Sequence, residues 1–483
     1  MGNNKIKTRF APSPTGEFHI GGARTALFAY LFAKKNSGEF LVRIEDTDQD
    51  RLVKNSELRM LELVKWLGFA WNEDPIYQSS RLSLYKDYAH QLIQKGFAYP
   101  CFCSEERLEN LRKEQEKNHK PTGYDRKCRE LPIDETLEKV AKDEPHVIRL
   151  KMPESGKAVF RDMIHRVIEF DYSLIDDTVL FKTDGYPTYH LASVIDDYEQ
   201  GISHVIRGDE WLSSTPKHLY LYKCFEWQPP FFAHLPIIIG KDKKKLSKRE
   251  GAVSVEAFKA QGYLPEAIIN FIALLGWNPG TEKEFFTLEE LEKEFDLSKV
   301  NKSPAMFDID KLNHFNAYYI RQMDDRSLLE KIKLYSKIDF SKFDNSFLQK
   351  VVKVVKERMV LLADFDKLTP YFFNDIDVEK DMVKFVKSDW QDTIIGLEKT
   401  ISNLEKKEKT GEIDWNDSGS LNEVLRGVVA NNLLRNGDVF WPVRVSLSGQ
   451  IASPSPAELL WVFGPQESLR RLKIALVKIT PDK

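Results

Sequence analysis

The stretch that most limits how this chain can fold is its beginning. A short run from Lys5 to Ala11 leads into Pro-Ser-Pro-Thr-Gly16, after which Ala23, Ala26, Leu27, Tyr30 and Leu31 recur at helical spacing. A strand, a tight turn and a helix in that order open an α/β layer. Phe40 to Ile44 alternates like a second strand, and Met60, Leu61, Val64 and Leu67 mark a helix that stops at Gly68. From about residue 100 to 180 the rhythm breaks into Cys-Phe-Cys, a Lys/Glu-rich helix and mixed strands, which reads as an insertion. It then resumes. Val179 to Lys182 and His204 to Arg207 read as strands and Tyr189 to Tyr198 as a helix, and Ser214 or Thr215 caps a further helix with Pro216 in its first turn. An interrupted parallel sheet fits this order. Beyond about residue 320 helical periodicity dominates, as in Leu328 to Tyr335 and Phe347 to Leu362, and the Lys/Glu-rich stretch 398–412 reads as a solvated helix face or linker. The expected segments are therefore 1–100, 101–185, 186–320 and 321–483.

Composition narrows the class. At 483 residues the chain exceeds one hydrophobic core and should be modular. With 42% apolar and 30% charged residues it is neither disordered nor fibrous, and no stretch nears the ~20 apolar residues of a membrane span. The start, MGNNKIKTRF, lacks the apolar core of a secretion signal, and there are four cysteines, so a cytoplasmic protein with reduced thiols is expected. A net charge of −3 argues against coating nucleic acid by bulk charge but permits local basic patches.

Two motifs carry chemistry. Arg9-Phe-Ala-Pro-Ser-Pro-Thr-Gly16, followed by His19-Ile-Gly-Gly22, sits where a strand turns into a helix. Gly21 and Gly22 let a ligand approach the backbone, and first-turn amides with the helix dipole favour phosphate. No G-x-G-x-x-G follows the strand and no G-x-x-x-x-G-K-[ST] occurs, which argues against a dinucleotide site or a P-loop. The plainer reading is a tight turn with a surface histidine. Lys241-Asp-Lys-Lys-Lys245-Leu-Ser-Lys248-Arg249 puts six positive charges and one negative into nine residues between Gly240 and Gly251. Such a loop would neutralise charge developing on a departing pyrophosphate, although most lysine clusters are solvated faces.

Taken together, these motifs change the reading. Arg9 to Gly22 resembles the HIGH signature in its bacterial glutamyl form, and Lys245-Leu-Ser-Lys-Arg249 resembles the KMSKS signature of class I aminoacyl-tRNA synthetases. Arg43-Ile-Glu-Asp-Thr-Asp48, Pro187-Thr-Tyr-His190, Arg207-Gly208, Gly251-Ala-Val-Ser254, Leu274-Leu-Gly-Trp277 and Asn301-Lys-Ser-Pro-Ala-Met306 extend the match over some 300 residues in order. The chain thus resembles the bacterial-type glutamyl-tRNA synthetases.

The resemblance implies a Rossmann-like parallel-sheet catalytic domain, α/β in class and interrupted at 101–185 by an acceptor-end-binding domain. Residues 186–320 would hold its second half, a stem-contact region and the basic loop, and 321–483 a mainly α-helical anticodon-binding region. It implies that ATP with Mg²⁺ activates L-glutamate for transfer to the 3′-terminal adenosine of tRNA(Glu) in a cytoplasmic, monomeric enzyme without membrane contact. His19, Lys245 and Lys248 would be catalytic, with Gly21, Gly22 and Arg249 joining His19 and Lys248 around ATP. Arg9, Ala11, Ser13, Glu45, Tyr189 and Arg207 would bind glutamate, Arg207 meeting the side-chain carboxylate and Glu45 the α-amino group. Ser193 would join them in binding glutamate, at a position where the family often has Asn. The alternative for Arg9 and Arg207 is a structural ion pair with Glu45 or Asp209.

Cys101-x-Cys103 and Cys128, with Tyr124 four residues before the last, are soft ligands that suit Zn²⁺. Many relatives carry histidine where this chain has Glu130, and a related pattern uses the tyrosine, so Tyr124 ranks first as fourth ligand and Glu130 second. Buried cysteines without metal are the alternative, and Cys224 reads as core packing. In the C-terminal region Arg358, placed on a helix, would read anticodon bases. Rival functions are an enzyme that also or only charges tRNA(Gln), a shortened paralogue that modifies a tRNA base, a glutaminyl enzyme, and a catalytically dead tRNA-binding protein. The helical C-terminus weighs against the paralogue and the glutaminyl enzyme, and the phosphate-handling residues weigh against the dead protein.

Overall fold

The computed structural model describes residues 5–246 and 254–480. They form two compact units, 1–259 with 265–315, and 260–264 with 316–483.

The first unit is built on a parallel sheet. β1 (Lys7–Phe10) and β2 (Glu39–Ile44) pair in parallel with Arg9 opposite Leu41, and β3 (Ile76–Tyr77) continues outward from β2. In β2 every residue after Glu39 is buried, the pattern of a strand covered on both faces. α1 (Ile20–Lys35) buries Ala23, Ala26, Leu27, Tyr30 and Leu31, and the helix over Ser56–Trp66 ends before Gly68, whose φ of +80° suits a residue without Cβ.

The interruption then begins. β4 (Ala98–Cys101), β5 (Val147–Leu150) and, later, β8 (Val179–Phe181) form an antiparallel sheet, and β6 (Lys157–Asp162) and β7 (Arg166–Asp171) form a hairpin. β9 (His204–Gly208) and β10 (Phe231–Leu235) are again parallel, and β6 pairs with β10 through Asp162 opposite Phe232. The hairpin therefore extends the sheet order to β7-β6-β10-β9. Ser203, just ahead of β9, exchanges hydrogen bonds with the backbone of Lys7, so β9 lies beside β1.

α2, the helix over Tyr189–Glu199, follows β8, and α3, over Thr215–Cys224, follows β9. Ser214 occupies the cap position of α3 without a side-chain cap bond, because a 3₁₀ turn over Asp209–Ser214 runs directly into the helix and leaves fewer amides to satisfy. Cys224 is buried in the core with Leu221 and Phe225.

The second unit is helical, its longest helices spanning Trp390–Thr410, Ser418–Asn431, Asn436–Ser448 and Pro456–Ile479. The charged stretch around 398–412 is largely the solvent side of the first of these, which ends at Gly411. Among the described residues no helix is long and apolar enough to cross a membrane.

Candidate active site

Two cavities adjoin where the sheet's strands meet α1. The larger, about 390 Å³, is lined by Arg9, Ala11, Ser13, Glu45, Tyr189 and Arg207, the residues expected to bind glutamate. The smaller, about 240 Å³, is lined by Gly21, Gly22, Arg24 and Lys245. His19, Gly22, Thr25, Gly208 and Glu210 border both. Ser193 lies one turn beyond Tyr189 on α2, is buried, and does not line either cavity.

One wall of the larger cavity is a cluster of alternating charge. Arg9 Nε donates to Asp197 Oδ1 at 2.9 Å. Arg43, fully buried, donates to the same oxygen at 2.8 Å and to Glu45 at 3.2 Å, and stands 3.7 Å from Asp196. Arg9 is thus ion-paired with Asp197, not with Glu45 or Asp209. Burial raises Asp197, but Arg9 and Arg43 more than offset it and hold the carboxylate below its ordinary range. Glu45 goes the other way. Its burial outweighs the pull of Arg43 and Arg9 and pushes its pKa up to about 6.

Among the described residues the opposite wall has no carboxylate in contact with its cation. Arg207, only 4% exposed, donates from Nε to His234 Nε2 at 3.1 Å. One terminal nitrogen reaches the Tyr189 hydroxyl at 2.9 Å and His218 Nδ1 at 3.2 Å, and the other reaches the Thr215 hydroxyl at 2.9 Å and the Trp211 carbonyl at 3.4 Å. Every acceptor is neutral. An arginine never gives up its proton, so each contacting histidine nitrogen must offer a lone pair, which keeps both rings uncharged. His218 Nε2 then carries the hydrogen and donates to His190 at 3.1 Å. Burial, reinforced by nearby cations, lowers both His218 and His190, in accord with neutral rings. Tyr189 is held from its other side by Trp211, ring centroids 4.1 Å apart.

Around the smaller cavity, His19 caps α1, its Nδ1 accepting from the Gly22 amide at 3.2 Å. No acidic residue occupies the first turn of α1, so the positive helix terminus is not cancelled locally. A Cβ on Gly21 would lie 3.3 Å from His19 Nδ1, and one on Gly22 3.2 Å from the Phe18 ring. Arg24, buried one turn into α1, donates to the carbonyls of Leu275 and Pro236, and burial lowers it to about 10. The basic loop begins as a tight turn in which Gly240 and Lys244 bond and Lys243 takes a φ of +63°. Lys245 pairs with Ile239 and faces the cavity. Lys248 and Arg249 lie outside the described residues. Beyond them Ser254 pairs with His19, returning the chain to α1.

Outside these cavities, the Sγ atoms of Cys101, Cys103 and Cys128 lie within 4.8 Å of one another. The Tyr124 hydroxyl is 3.3 Å from Cys101 Sγ and 3.6 Å from Cys103 Sγ. Tetrahedral zinc with bonds of about 2.3 Å requires sulfurs roughly 3.8 Å apart, so the donor set fits that ion. Glu130, its side chain 79% exposed and ion-paired with Arg129 at 3.8 Å, does not join the cluster of thiols. In the second unit Arg358 lies on a one-turn 3₁₀ helix, Lys356–Arg358, that continues the α-helix over Asn345–Val355. It closes that turn, is exposed, and donates to the Ser453 carbonyl at 2.6 Å. The helix yields there because the Asp364 carboxylate captures the amides of Val360 and Leu361 to start the next turn.

Comparison with known proteins agrees over the whole length. The family described as class I tRNA synthetases (E and Q), catalytic domain, matches residues 5–314, and an anticodon binding domain matches 326–476. The glutamate–tRNA ligase 2 of Thermoanaerobacter pseudethanolicus is 41% identical over 480 residues, 98% of each chain. The glutamate–tRNA ligase of Clostridioides difficile is 40% identical, covering 98% of this chain and 99% of its own. A crystal structure of a glutamate tRNA ligase from Elizabethkingia meningosepticum in complex with its amino acid superposes with a TM-score of 0.89 at 33% identity, covering 99% and 100% of the two chains.

Proposed function

The chain belongs to the class I tRNA synthetases of the glutamate and glutamine group, and we propose that it is a glutamate–tRNA ligase whose larger cavity holds L-glutamate and whose smaller one holds ATP. The observation that carries this reading is the buried Arg207, whose contacts among the described residues are all neutral and whose charge is therefore left for a ligand carboxylate. Glutamine would bring an amide dipole to the same place and satisfy that charge far less well.

In this reading the side-chain carboxylate meets Arg207 and Tyr189, displacing the weakest acceptor, the Trp211 carbonyl. Arg9 lies close by and Ala11 and Ser13 border the amino acid, while Glu45 receives the ammonium group. The α-carboxylate then attacks the α-phosphorus of ATP, forming a carboxyl–phosphate bond as the bond to pyrophosphate breaks. No covalent protein nucleophile is needed, so the residues act by positioning and charge. His19, Gly21 and Gly22 seat the phosphates at the start of α1, and Lys245 with Lys248 and Arg249 would meet the departing pyrophosphate. Mg²⁺ accompanies the nucleotide as a counter-charge. In the second step a hydroxyl of the terminal ribose of tRNA, 2′ by resemblance to this class, attacks the activated carbonyl and AMP leaves.

Segment 101–185 would receive the acceptor end, and Cys101, Cys103, Cys128 and Tyr124 would hold zinc as a structural tie. The second unit would bind the anticodon arm, with Arg358 at its surface. We place the enzyme in the cytoplasm as a monomer. The test is aminoacylation with labelled glutamate and ATP, tRNA(Glu) beside tRNA(Gln), wild type beside Lys248→Ala. Charging of tRNA(Glu) that collapses in the variant supports the ligase, and charging of both tRNAs makes it the non-discriminating kind. Binding of tRNA without charging would overturn the reading.

A further inference from the structure

We propose that Asp162 and His234, which touch no substrate, are positioning residues that aim the Arg207 guanidinium into the glutamate cavity. This rests on the assignment of Arg207 given above. The case begins with the alternation in β6, where Ala158, Phe160 and Asp162 point inward while Val159 and Arg161 face solvent. A carboxylate at the end of the strand is thereby driven into the sheet, and it is fully occupied there. Its Oδ1 accepts from the amides of Ile164 and His165, both at 2.8 Å, shaping the turn into β7. Its Oδ2 accepts from the amide of His234 at 3.1 Å and from His234 Nδ1 at 2.7 Å.

A carboxylate holding four donors has no proton to give, so the hydrogen on that bond belongs to His234 Nδ1. Nε2 is then a bare lone pair, and it is aimed at Arg207 Nε, 3.1 Å away. A protonated His234 would set one N–H against another. The arrangement orients the guanidinium through an imidazole, so the aspartate never touches the cation. A direct ion pair would hold Arg207 as firmly but would consume the charge that the substrate needs, as Asp197 does for Arg9. Neither Asp162 nor His234 lines the larger cavity, which separates them from substrate-contacting groups. The relay also ties the β6–β7 hairpin, inside the inserted segment, to the amino-acid pocket.

The test is aminoacylation of tRNA(Glu) by the full chain carrying Asp162→Asn, His234→Leu, both changes together, or His234→Gln. Support groups that orient ligand-binding residues typically contribute 10- to 100-fold. KM for glutamate should therefore rise about tenfold or more in each of the first two variants, while KM for ATP moves by less than about twofold. The double variant should be no worse than the poorer single one, because both break the same relay. His234→Gln, whose carbonyl can accept from Arg207 Nε, should recover most of the loss. A merely structural role would lower the yield of folded enzyme and leave KM for glutamate unchanged, and that result would overturn the proposal, as would losses that multiply in the double variant. Should Asp162→Asn fail to fold, the Leu and Gln variants at 234 decide the matter between them. Failure of the wild type to charge with glutamate would instead sink the assignment of Arg207 itself.

Discussion

The two walls of the larger cavity solve the same problem in opposite ways. On one side Arg9 and Arg43 are embedded among Asp196, Asp197 and Glu45, and the cations are largely neutralised by their neighbours. On the other, Arg207 is buried just as deeply among histidine, tyrosine, threonine and a carbonyl, none of them charged. The first arrangement resembles a structural ion network, which resists disruption because removing one member strands the others. The second leaves a charge unanswered, which disfavours the empty fold slightly and rewards an anion strongly. The first wall should therefore matter most to stability and the second most to substrate choice.

The largest effect should come from Arg207→Gln. With the cation gone, kcat/KM for glutamate should fall on the order of 10³-fold or more, since a desolvated charge–charge contact is lost. Urea denaturation should show a loss of only about 1–3 kcal/mol, because the variant leaves neutral acceptors such as His218 and His234 unpaired but strands no buried charge. A comparable fall in both quantities would erase the proposed difference between the walls. Arg43→Met should do the reverse. It leaves three buried carboxylates short of a partner, and should cost about 3–5 kcal/mol of stability in the same assay.

A smaller effect should appear with pH. The Glu45 pKa near 6 means the carboxylate that would receive the substrate ammonium is ionised at pH 7.5 and mostly protonated at 5.5. KM for glutamate should climb as pH falls through about 6, by up to about tenfold per unit. In Glu45→Gln this limb should vanish, and its persistence would assign the titration elsewhere. The sign for stability is opposite. A carboxyl raised above its unfolded value favours the fold below about pH 4.5, and that contribution fades as pH rises through 6. The smallest effect on activity is expected at the cysteine cluster, remote from both walls. Cys103→Ser should lower zinc content measured by elemental analysis, and full zinc retention would remove the thiols from the proposed site.

Much of the first wall's neighbourhood was legible in the sequence, because its residues sit close together on the motifs. Arg9 lies on one strand and Ala11 and Ser13 follow its end, Glu45 follows the end of the next strand, and the Gly21-Gly22 pair lies in the first turn of the helix between them. What could not be read was who answers each charge. Asp197 lies 188 residues from Arg9, and Asp162 lies 72 residues before His234. Local periodicity carries no information about such pairings. Arg24 was missed although it stands among Ala23, Ala26 and Leu27 in the buried stripe of α1, a position where a cation is a signal in itself. The α-helix tightens into a 3₁₀ turn at Arg358 and Asp364 takes the amides just beyond it, an effect that apolar spacing does not register.

The most direct test of the central claim is the ratio of kcat/KM for L-glutamate over L-glutamine in aminoacylation of tRNA(Glu) by the wild-type chain. A cavity built around an unanswered buried cation predicts a preference on the order of 10⁴ for the carboxylate. Similar efficiency with the two amino acids would contradict it, and Arg207 would then be one more structural arginine.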